Sequence, residues 1–355
     1  MSAIHPYGPT AARKHGRPGR DSRPKSITID FHSHVSVPAA AAFVAPHLGA
    51  TANPLVQFAT PETQKINAQQ EIDRRARMSG ASLDDRLRDL DAMGLDMQLV
   101  TPPPPQVYFT LPVEIAVKAA QMVNEGIAAF VARTPDRFAA LGTVPLQDGA
   151  AAAAELERSM KKFGFKGVEI LTNVAGRELS DPAFAPFWAK AEELGALVFI
   201  HPNGFTEARR FTRHYFNNVI GNPLETAIAL HYLIFDGVLE RHPNLKIFAV
   251  HGGGFLPAYS GRIDHVWGAR EDGHANLPHP PTHYLKKIYV DTVVFTPHQL
   301  KALVDLFGAD RVLMGTDYPF DMGEYDPVGH VMSTPIDDAA KAAIVGGNAK
   351  RLLGI

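Results

Sequence analysis

The chain has 355 residues, of which 45% are hydrophobic and 20% charged, and these values are typical of a globular enzyme and exclude global disorder. Its formal net charge is −2, whereas a nucleic-acid-binding protein commonly carries a strong positive charge, so we predict no nucleic-acid partner. Because there is no cysteine, disulfides, thiolate metal ligands and cysteine nucleophiles are excluded. Any metal must therefore be bound by His, Asp or Glu, and 16 histidines are available.

The first 25 residues differ in composition from the rest of the chain. They contain six Lys or Arg and one acidic residue, and they are rich in Pro and Gly. We predict a disordered basic arm over residues 1–25, with a partner-binding arm as the alternative, and a single domain over residues 26–355. The arm has no apolar core typical of a secretory signal, and no run of ~18 apolar residues is present. We therefore expect no membrane association and a cytoplasmic location.

From residue 26 onward, short apolar runs alternate with stretches long enough to form a helix. The eight runs that we interpret as strands cover residues 27–31, 97–100, 138–144, 167–171, 197–200, 247–250, 288–290 and 312–314. Alternating strands and helices indicate an α/β fold with parallel strands and right-handed crossovers. Eight such units predict a distorted (β/α)8 TIM-type barrel, with an open doubly wound sheet as the competing architecture. Residues 35–80 are predicted to form an insertion between the first strand and the first helix, over the barrel mouth.

Chemically active side chains follow four of these strands. The first strand runs into His32 and His34, the fifth ends at His201, the sixth at His251, and the eighth at Asp317. In a parallel barrel the carboxyl ends of all strands open onto one face, where active sites lie. Since side chains alternate along a strand, His32 and His34 should point the same way, into the barrel. We therefore expect these five groups to converge.

The donor types at these strand ends suit a divalent cation. Imidazole suits zinc, and a mixed set of His and Asp also suits manganese or iron. His32, His34, His201 and Asp317 would supply four ligands, and metal-bound water would titrate near pH ~7. His251 is interpreted as the general acid or base, because three glycines after it would let the backbone approach a substrate. A single histidine at a strand end is commonly just a polar side chain, but four independent strand ends favour a shared site.

Several motifs occur together in a fixed order along the chain. They are the His-x-His at 32–34, the block at 222–267 with Pro-Leu-Glu-Thr and His-Gly-Gly-Gly, Gly-Thr-Asp-Tyr-Pro-Phe at 315–320, and Gly-Asn-Ala at 347–349. This ordered set resembles the amidohydrolase superfamily, and more narrowly its decarboxylase branch. The resemblance extends from about residue 26 to residue 355. It implies that His32, His34, His201 and Asp317 bind the metal and that His251 is the essential acid or base.

The resemblance also implies residues that bind a substrate carboxylate. Arg262 matches an arginine that reaches the substrate of a neighbouring subunit, which implies a homodimer with shared sites. Arg74 best matches a second carboxylate-binding arginine, although Arg75 and Arg77 compete for that role. A planar guanidinium forms bidentate hydrogen bonds with a carboxylate, which favours arginine at such a position.

The segment after the fifth strand departs from the relatives. Where they often carry Trp, this chain has Asn203, Gly204 and Phe205, and we expect Asn203 and Phe205 to line a changed substrate pocket. The predicted function is metal-dependent, non-oxidative decarboxylation of a small unsaturated or aromatic carboxylic acid, with Asp317 or His251 moving the proton. The alternative is a metal-dependent hydrolase or hydratase of a ring-cleavage product or lactone. A binding protein that has lost its chemistry is the third class.

Overall fold

The computed structural model describes residues 21, 23–49, 53–79, 81 and 83–355. The predicted basic arm lies outside the described residues except at its end. There, one terminal nitrogen of Arg23 donates to both carboxylate oxygens of Asp96, at 2.9 and 2.7 Å. Among the described residues, no helix has the length and apolar character needed to cross a bilayer.

The central feature is a ring of parallel strands. The strands of the described residues, in the ring and outside it, are β1 (Ile29–His34), β2 (Met97–Thr101), β3 (Phe138–Ala140), β4 (Gly142–Thr143), β5 (Gly167–Leu171), β6 (Asn173–Val174), β7 (Arg177–Glu178), β8 (Leu197–His201), β9 (Lys246–Ala249), β10 (Tyr289–Asp291) and β11 (Val312–Leu313). One parallel sheet has the order β1-β2-β3, and another has the order β11-β10-β9-β8-β5-β4. β6 and β7 form a separate antiparallel pair.

Backbone hydrogen bonds join the two parallel sheets at both edges. Leu141 N donates to Val100 O at 3.0 Å, and Phe31 N donates to Met314 O at 2.8 Å. The predicted barrel is therefore confirmed. Its third predicted strand is interrupted at Leu141, between β3 and β4, which makes the ring irregular as expected.

Helices follow the strands of this ring, and most of them bury apolar side chains. They are α1 (Pro38–Val44), α2 (Pro54–Gln57), α3 (Pro61–Met78), α4 (Leu83–Met93), α5 (Val113–Val131), α6 (Gly149–Phe163), α7 (Ala185–Glu193), α8 (Asn222–Phe235), α9 (Val238–Arg241), α10 (Ser260–Ala269), α11 (Glu271–His274), α12 (Thr282–Leu285), α13 (Pro297–Phe307), α14 (Pro327–Ser333), α15 (Asp338–Ala342) and α16 (Asn348–Leu353). α6 illustrates the local signals. Asp148 accepts hydrogen bonds from the first backbone N–H groups, and Gly164 ends the helix at φ 71°.

The segment between β1 and α4 contains more helix than the sequence suggested. Within residues 35–80, the described part forms α1, α2 and the 18-residue α3, which Thr60 caps by accepting from Thr63 N. α2 lies against the loop after β8, because Asn217 donates to Pro54 O at 2.9 Å. The insertion therefore lies at the carboxyl-terminal end of the barrel, where it was predicted.

The barrel interior below this end is filled with apolar side chains. Phe248 packs against Phe31 with ring centroids 5.2 Å apart, and against Phe199 at 4.9 Å. The ring of Phe199 in turn contacts that of His32 at 5.1 Å. These side chains form a dry floor under the strand ends, so polar groups above them are shielded from water on one side.

Candidate active site

β1 contains a β-bulge just before its histidines. Asp30 lies opposite Gln98 on β2, but the next paired positions are Ser33 and Val100. Three residue steps on β1 therefore match two steps on β2. One extra residue in a strand reverses the alternation of side chains beyond it.

The bulge places both histidines in the barrel. Phe31 already faces the interior, so strict alternation would send His32 to the outside. Because of the extra residue, His32 and His34 both point into the mouth. Within the bulge, Asp30 Oδ1 accepts from His32 N at 3.0 Å, and it also accepts from Thr316 N in the loop after β11 at 3.0 Å.

The structure brings all five predicted residues of the centre together around Asp317. Its Oδ1 lies 3.1 Å from His34 Nε2, 3.3 Å from His32 Nε2 and 4.0 Å from His201 Nε2. Its Oδ2 lies 3.5 Å from His251 Nε2. Four imidazoles from three strand ends thus point their Nε2 atoms at one carboxylate.

The other ring nitrogen of three histidines faces an acceptor. His32 Nδ1 lies 2.7 Å from Asp291 Oδ2, and His34 Nδ1 lies 3.0 Å from Pro102 O. His201 Nδ1 lies 2.6 Å from the carbonyl oxygen of the next residue. A proton on Nδ1 satisfies each of these acceptors and leaves the lone pair of Nε2 directed at the cluster when the ring is neutral.

The electrostatics of the cluster fit a divalent cation. Burial lowers the pKa of His201 to about 3, and burial also lowers the pKa of His34, so these rings stay neutral. Burial opposes ionisation of Asp317, but His32 and the other imidazoles outweigh it and hold the pKa of Asp317 well below its usual value. Among the described residues, the buried Nε2 atoms of His32 and His201 have no hydrogen-bond partner. Burial opposes the charged form of His32 as well, but Asp317 and Asp291 raise its pKa. The neutral imidazoles of His34 and His201, with His32 beside them and an ionised carboxylate between them, form a donor set for one divalent ion, zinc or manganese.

Sequence reasoning missed two buried carboxylates beside this cluster. Asp291 is fully buried and ends β10, so the rule that found His201 and Asp317 would also have selected it. Glu169 lies inside β5, and its Oε2 is 3.8 Å from His34 Nδ1. Burial raises the pKa of Glu169 well above its usual value. Its signal in the sequence was a charged residue in an otherwise apolar run.

Of the three competing arginines on α3, Arg74 lies nearest the centre. Its guanidinium carbon is 5.0 Å from the ring centroid of Phe320, and that ring contacts His34 at 5.1 Å. Arg77 instead donates to Asp89 at 2.7 Å, and Arg75 is exposed.

A surface cavity lies beside α3. Its volume is about 520 Å³, and its lining includes Arg74, Tyr318, Asp321 and Tyr325. None of the five residues of the cluster is among the residues that line this cavity.

The remaining predicted contacts are less closely placed. Asn203 is buried in the loop after β8, and its Oδ1 has no hydrogen-bond partner among the described residues. Phe205 packs against Phe211 with centroids 5.8 Å apart. Arg262 is exposed on α10, and the described residues give it no ion pair with the cluster. One chain therefore leaves Arg262 without a partner in its own site.

The family follows from comparison with known proteins. The family model described as Amidohydrolase matches residues 29–355, which is most of the chain. The chain belongs to the amidohydrolase family. A 2-amino-3-carboxymuconate-6-semialdehyde decarboxylase from Dictyostelium discoideum is 37% identical over 274 residues, covering 77% of this chain and 76% of the relative.

Solved structures agree with this assignment. A 5-carboxyvanillate decarboxylase from Sphingomonas paucimobilis has a TM-score of 0.82 at 27% identity, covering 93% of this chain and 100% of that chain. A 5-carboxyvanillate decarboxylase from Novosphingobium aromaticivorans, solved with manganese and 4-hydroxy-3-methoxy-5-nitrobenzoic acid, has a TM-score of 0.81 at 24% identity, covering 93% and 97%. The predicted resemblance to the decarboxylase branch, typified by the aminocarboxymuconate semialdehyde enzymes, is confirmed. The chain is a metal-dependent decarboxylase, a carboxy-lyase, of the amidohydrolase family.

The three glycines after His251 are required by the protein itself. A Cβ on Gly252 would lie 2.6 Å from the Val294 side chain, and one on Gly254 would lie 2.3 Å from Pro223 O. Packing against Val294 and Pro223 therefore requires glycine at 252 and 254, and the expectation that these glycines let the backbone approach a substrate stays a prediction.

Replacing Gly254 with alanine should destabilise this amidohydrolase fold. Gly254 has φ 67° and ψ −138°, a conformation that non-glycine residues rarely adopt, and the added Cβ would clash with the Pro223 carbonyl. We expect Gly254→Ala to lower the free energy of unfolding by about 3 kcal/mol, measured by denaturant titration. The control is Gly261→Ala in α10, where nothing lies within 4 Å, and there we expect a gain of about 0.5–1 kcal/mol. Equal stability of the two variants would contradict this explanation.

Proposed function

We propose that this chain releases carbon dioxide from a small unsaturated or aromatic carboxylic acid without net oxidation. The observation that carries the proposal is the convergence of four imidazoles on the Asp317 carboxylate, at the mouth of a barrel whose floor is apolar. The names of the relatives, which act on carboxymuconate or carboxylated aromatic compounds, support the substrate class.

We assign His32, His34, His201 and Asp317 as the ligands of one divalent ion and His251 as the acid or base. Among the described residues, the group whose ligand atoms all lie within 4.8 Å of one another is His32, His201, His251 and Asp317, a set with His251 in place of His34. Burial supports the first assignment: His34 is fully buried, whereas the His251 side chain is 17% exposed on the open side. When bound, the ion supplies positive charge that stabilises negative charge developing on substrate oxygens.

The protein's own residues manage one proton. Protonated His251 donates to the carbon that bears the carboxylate, and the positive charge on its ring is stabilised by Asp317, 3.5 Å away. The carbon–carboxylate bond then breaks, its electron pair restores the conjugated system, and neutral carbon dioxide leaves. His251 regains its proton from solvent on its exposed side. The apolar side chains of the barrel interior exclude water from that side of the cluster, so water there does not compete for the proton.

The test is carbon dioxide release by purified protein loaded with zinc or manganese. The panel pairs 2-amino-3-carboxymuconate 6-semialdehyde with hydroxylated and nitrogen-substituted benzoates. We expect release from at least one member, and that member tells whether the pocket prefers an open-chain or an aromatic acid. No release from protein that holds one metal ion per chain would overturn the proposal and turn the search to lactones and ring-cleavage products.

Arg74 is proposed to bind a substrate carboxylate. Its guanidinium lies over the ring of Phe320, which contacts His34, and this position supports the role. We expect Arg74→Ala to lower kcat/KM by about 10- to 100-fold, mainly through KM, because a charge-assisted hydrogen bond contributes about 1.5–3 kcal/mol. Arg75→Ala, on the exposed side of the same helix, is the control and should leave both constants near wild type. A reversed ranking of the two variants would show that the wrong arginine was chosen.

We propose a homodimer in which Arg262 reaches the neighbouring site. Its support is the exposed position of Arg262 beside two exposed aromatic residues, Phe255 at 42% and Tyr259 at 70%. Such aromatic residues are enriched in protein interfaces. Light scattering should give twice the mass of the chain, and Arg262→Ala should raise KM without releasing metal. A monomer with full activity would contradict shared sites.

The cytoplasmic location stays a prediction from the sequence. Subcellular fractionation of the source cells would test it, and enrichment of the protein in any other fraction would show that it is wrong.

A further inference from the structure

We propose that Asp291 is a positioning residue that couples the metal ligand His32 to the turn that carries His251. The inference rests on the roles proposed above for these two histidines. Asp291 ends β10, is fully buried and faces the cluster from the barrel wall. It is not itself one of the groups around Asp317.

The carboxylate of Asp291 is engaged at both oxygens. Oδ2 accepts from His32 Nδ1 at 2.7 Å and from His251 N at 2.9 Å. Oδ1 accepts from Gly252 N at 2.8 Å and from Val293 N at 3.1 Å. One side chain therefore joins an imidazole of the cluster to two successive backbone N–H groups after β9.

The first contact determines how His32 presents its other nitrogen. A carboxylate at Nδ1 keeps the proton on that atom and fixes the plane of the ring. With the ring fixed in this way, His32 Nε2 points at Asp317 and lies 3.3 Å from its Oδ1. Without the carboxylate, the ring can rotate or carry its proton on Nε2, and both changes weaken metal binding.

The second contact supports an uncommon backbone conformation. His251 has φ 53° and Gly252 has φ 63°, both in the left-handed region, which is disfavoured for His251 because it carries a Cβ. Hydrogen bonds from both N–H groups to Asp291 stabilise this turn. The turn directs the His251 side chain toward Asp317 Oδ2. Asp291 thus orients the groups that we assign to metal binding and to proton transfer.

Asp30 shows that burial alone does not produce this arrangement. It is equally buried. It accepts hydrogen bonds from the backbone N–H groups of His32 and Thr316, and from the side chains of Gln98 and Thr316. No imidazole contacts its carboxylate through a hydrogen bond in the described part of the chain. Asp30 supports the bulge of β1, whereas Asp291 connects two of the chemical groups.

The experiment uses Asp291→Asn in the full chain. Asparagine keeps the size of the side chain, but its NH2 group faces N–H donors where an acceptor is needed. We measure zinc affinity by competition with a chromogenic chelator, kcat and KM at saturating zinc, and thermal unfolding of the metal-free protein. Asp148→Asn is the control, because that carboxylate accepts two backbone N–H groups at the start of α6, where asparagine caps equally well.

We expect Asp291→Asn to weaken zinc binding by about 10- to 100-fold, as found for partners that orient metal ligands. At saturating zinc, kcat should fall at least tenfold while KM changes less than threefold, and this kcat loss should largely disappear when His251→Asn is already present. A role confined to stability would change the thermal unfolding but neither the zinc affinity of the folded protein nor this coupling. If Asp291→Asn does not fold, Asp291→Ser, which has no opposing NH2 group, is measured in the same way.

The outcomes separate this inference from the proposed function. The inference alone is overturned by the following pair of results. The wild-type protein binds zinc and releases carbon dioxide, and the Asp291→Asn variant stays within twofold of it in zinc affinity and kcat. Wild-type protein that binds no zinc or manganese overturns the ligand assignment and the inference with it. Weakened zinc binding together with the His251-dependent loss of kcat supports both.

Discussion

The His251→Asn variant is expected to lose about 10²- to 10⁴-fold in kcat while it binds a full complement of metal. Asparagine preserves a hydrogen-bonding group near Asp317 Oδ2, but it cannot donate a proton to carbon and be reprotonated near neutral pH. The His251 side chain is partly exposed and contacts a different oxygen of Asp317 from the three buried imidazoles. Carbon dioxide release at saturating substrate, with metal content measured on the same sample, checks the prediction.

A matched histidine elsewhere gives the control for this variant. His274 lies on α11, exposed and stacked on Trp267, and His274→Asn should leave kcat unchanged. Near-normal turnover of His251→Asn would show that another group moves the proton. Loss of metal from His251→Asn would instead favour the alternative ligand set in which His251 replaces His34.

The His201→Ala variant is expected to lose both metal and activity. In the wild-type protein, the Nε2 atom of His201 is buried and has no hydrogen-bond partner in the described part of the chain. Burial lowers the pKa of His201 to about 3, so its ring stays neutral. Removal of a direct ligand should weaken binding by more than ~100-fold, the upper range for partners that only orient a ligand. Metal content by atomic emission and carbon dioxide release, both measured after dialysis, check this.

The control is wild-type protein stripped by a chelator. Both samples should be inactive, but added zinc or manganese should restore the stripped wild type and not His201→Ala. Full metal content in His201→Ala after dialysis would contradict the proposed coordination set. Restoration of its activity at millimolar metal would mean that His201 adds affinity without being required for the reaction.

Much of the fold could be predicted because its signals are local. Eight apolar runs bounded by helical stretches are a property of consecutive residues, and the barrel that they predicted is confirmed. The helices of the insertion were missed although Asn53 and Thr60 each precede a proline, a common helix start. The polar composition of that segment masked the signal.

The centre was found because parallel strands carry their carboxyl ends to one face, so strand-end residues meet whatever the loops do. The two buried carboxylates were not found, for different reasons. Asp291 also lies at the carboxyl end of a strand, but we predicted that strand to end one residue earlier, at residue 290. Glu169 lies one layer below the mouth, and only the tertiary structure shows that its neighbour is His34.

The sequence by itself determined the order of strands and helices, the donor types and the family, since all of these depend on residues and their spacing. The tertiary structure decided how those donors are aimed. Strict alternation of side chains would place Phe31 and His32 on opposite faces of β1. Both point into the barrel instead, because β1 has one extra residue relative to β2. A bulge depends on the register between two neighbouring strands. Asp30 and Gln98, which lie opposite each other, are 68 residues apart in the sequence, so no local pattern encodes this register. The hydrogen bonds that stabilise it are likewise formed between distant segments.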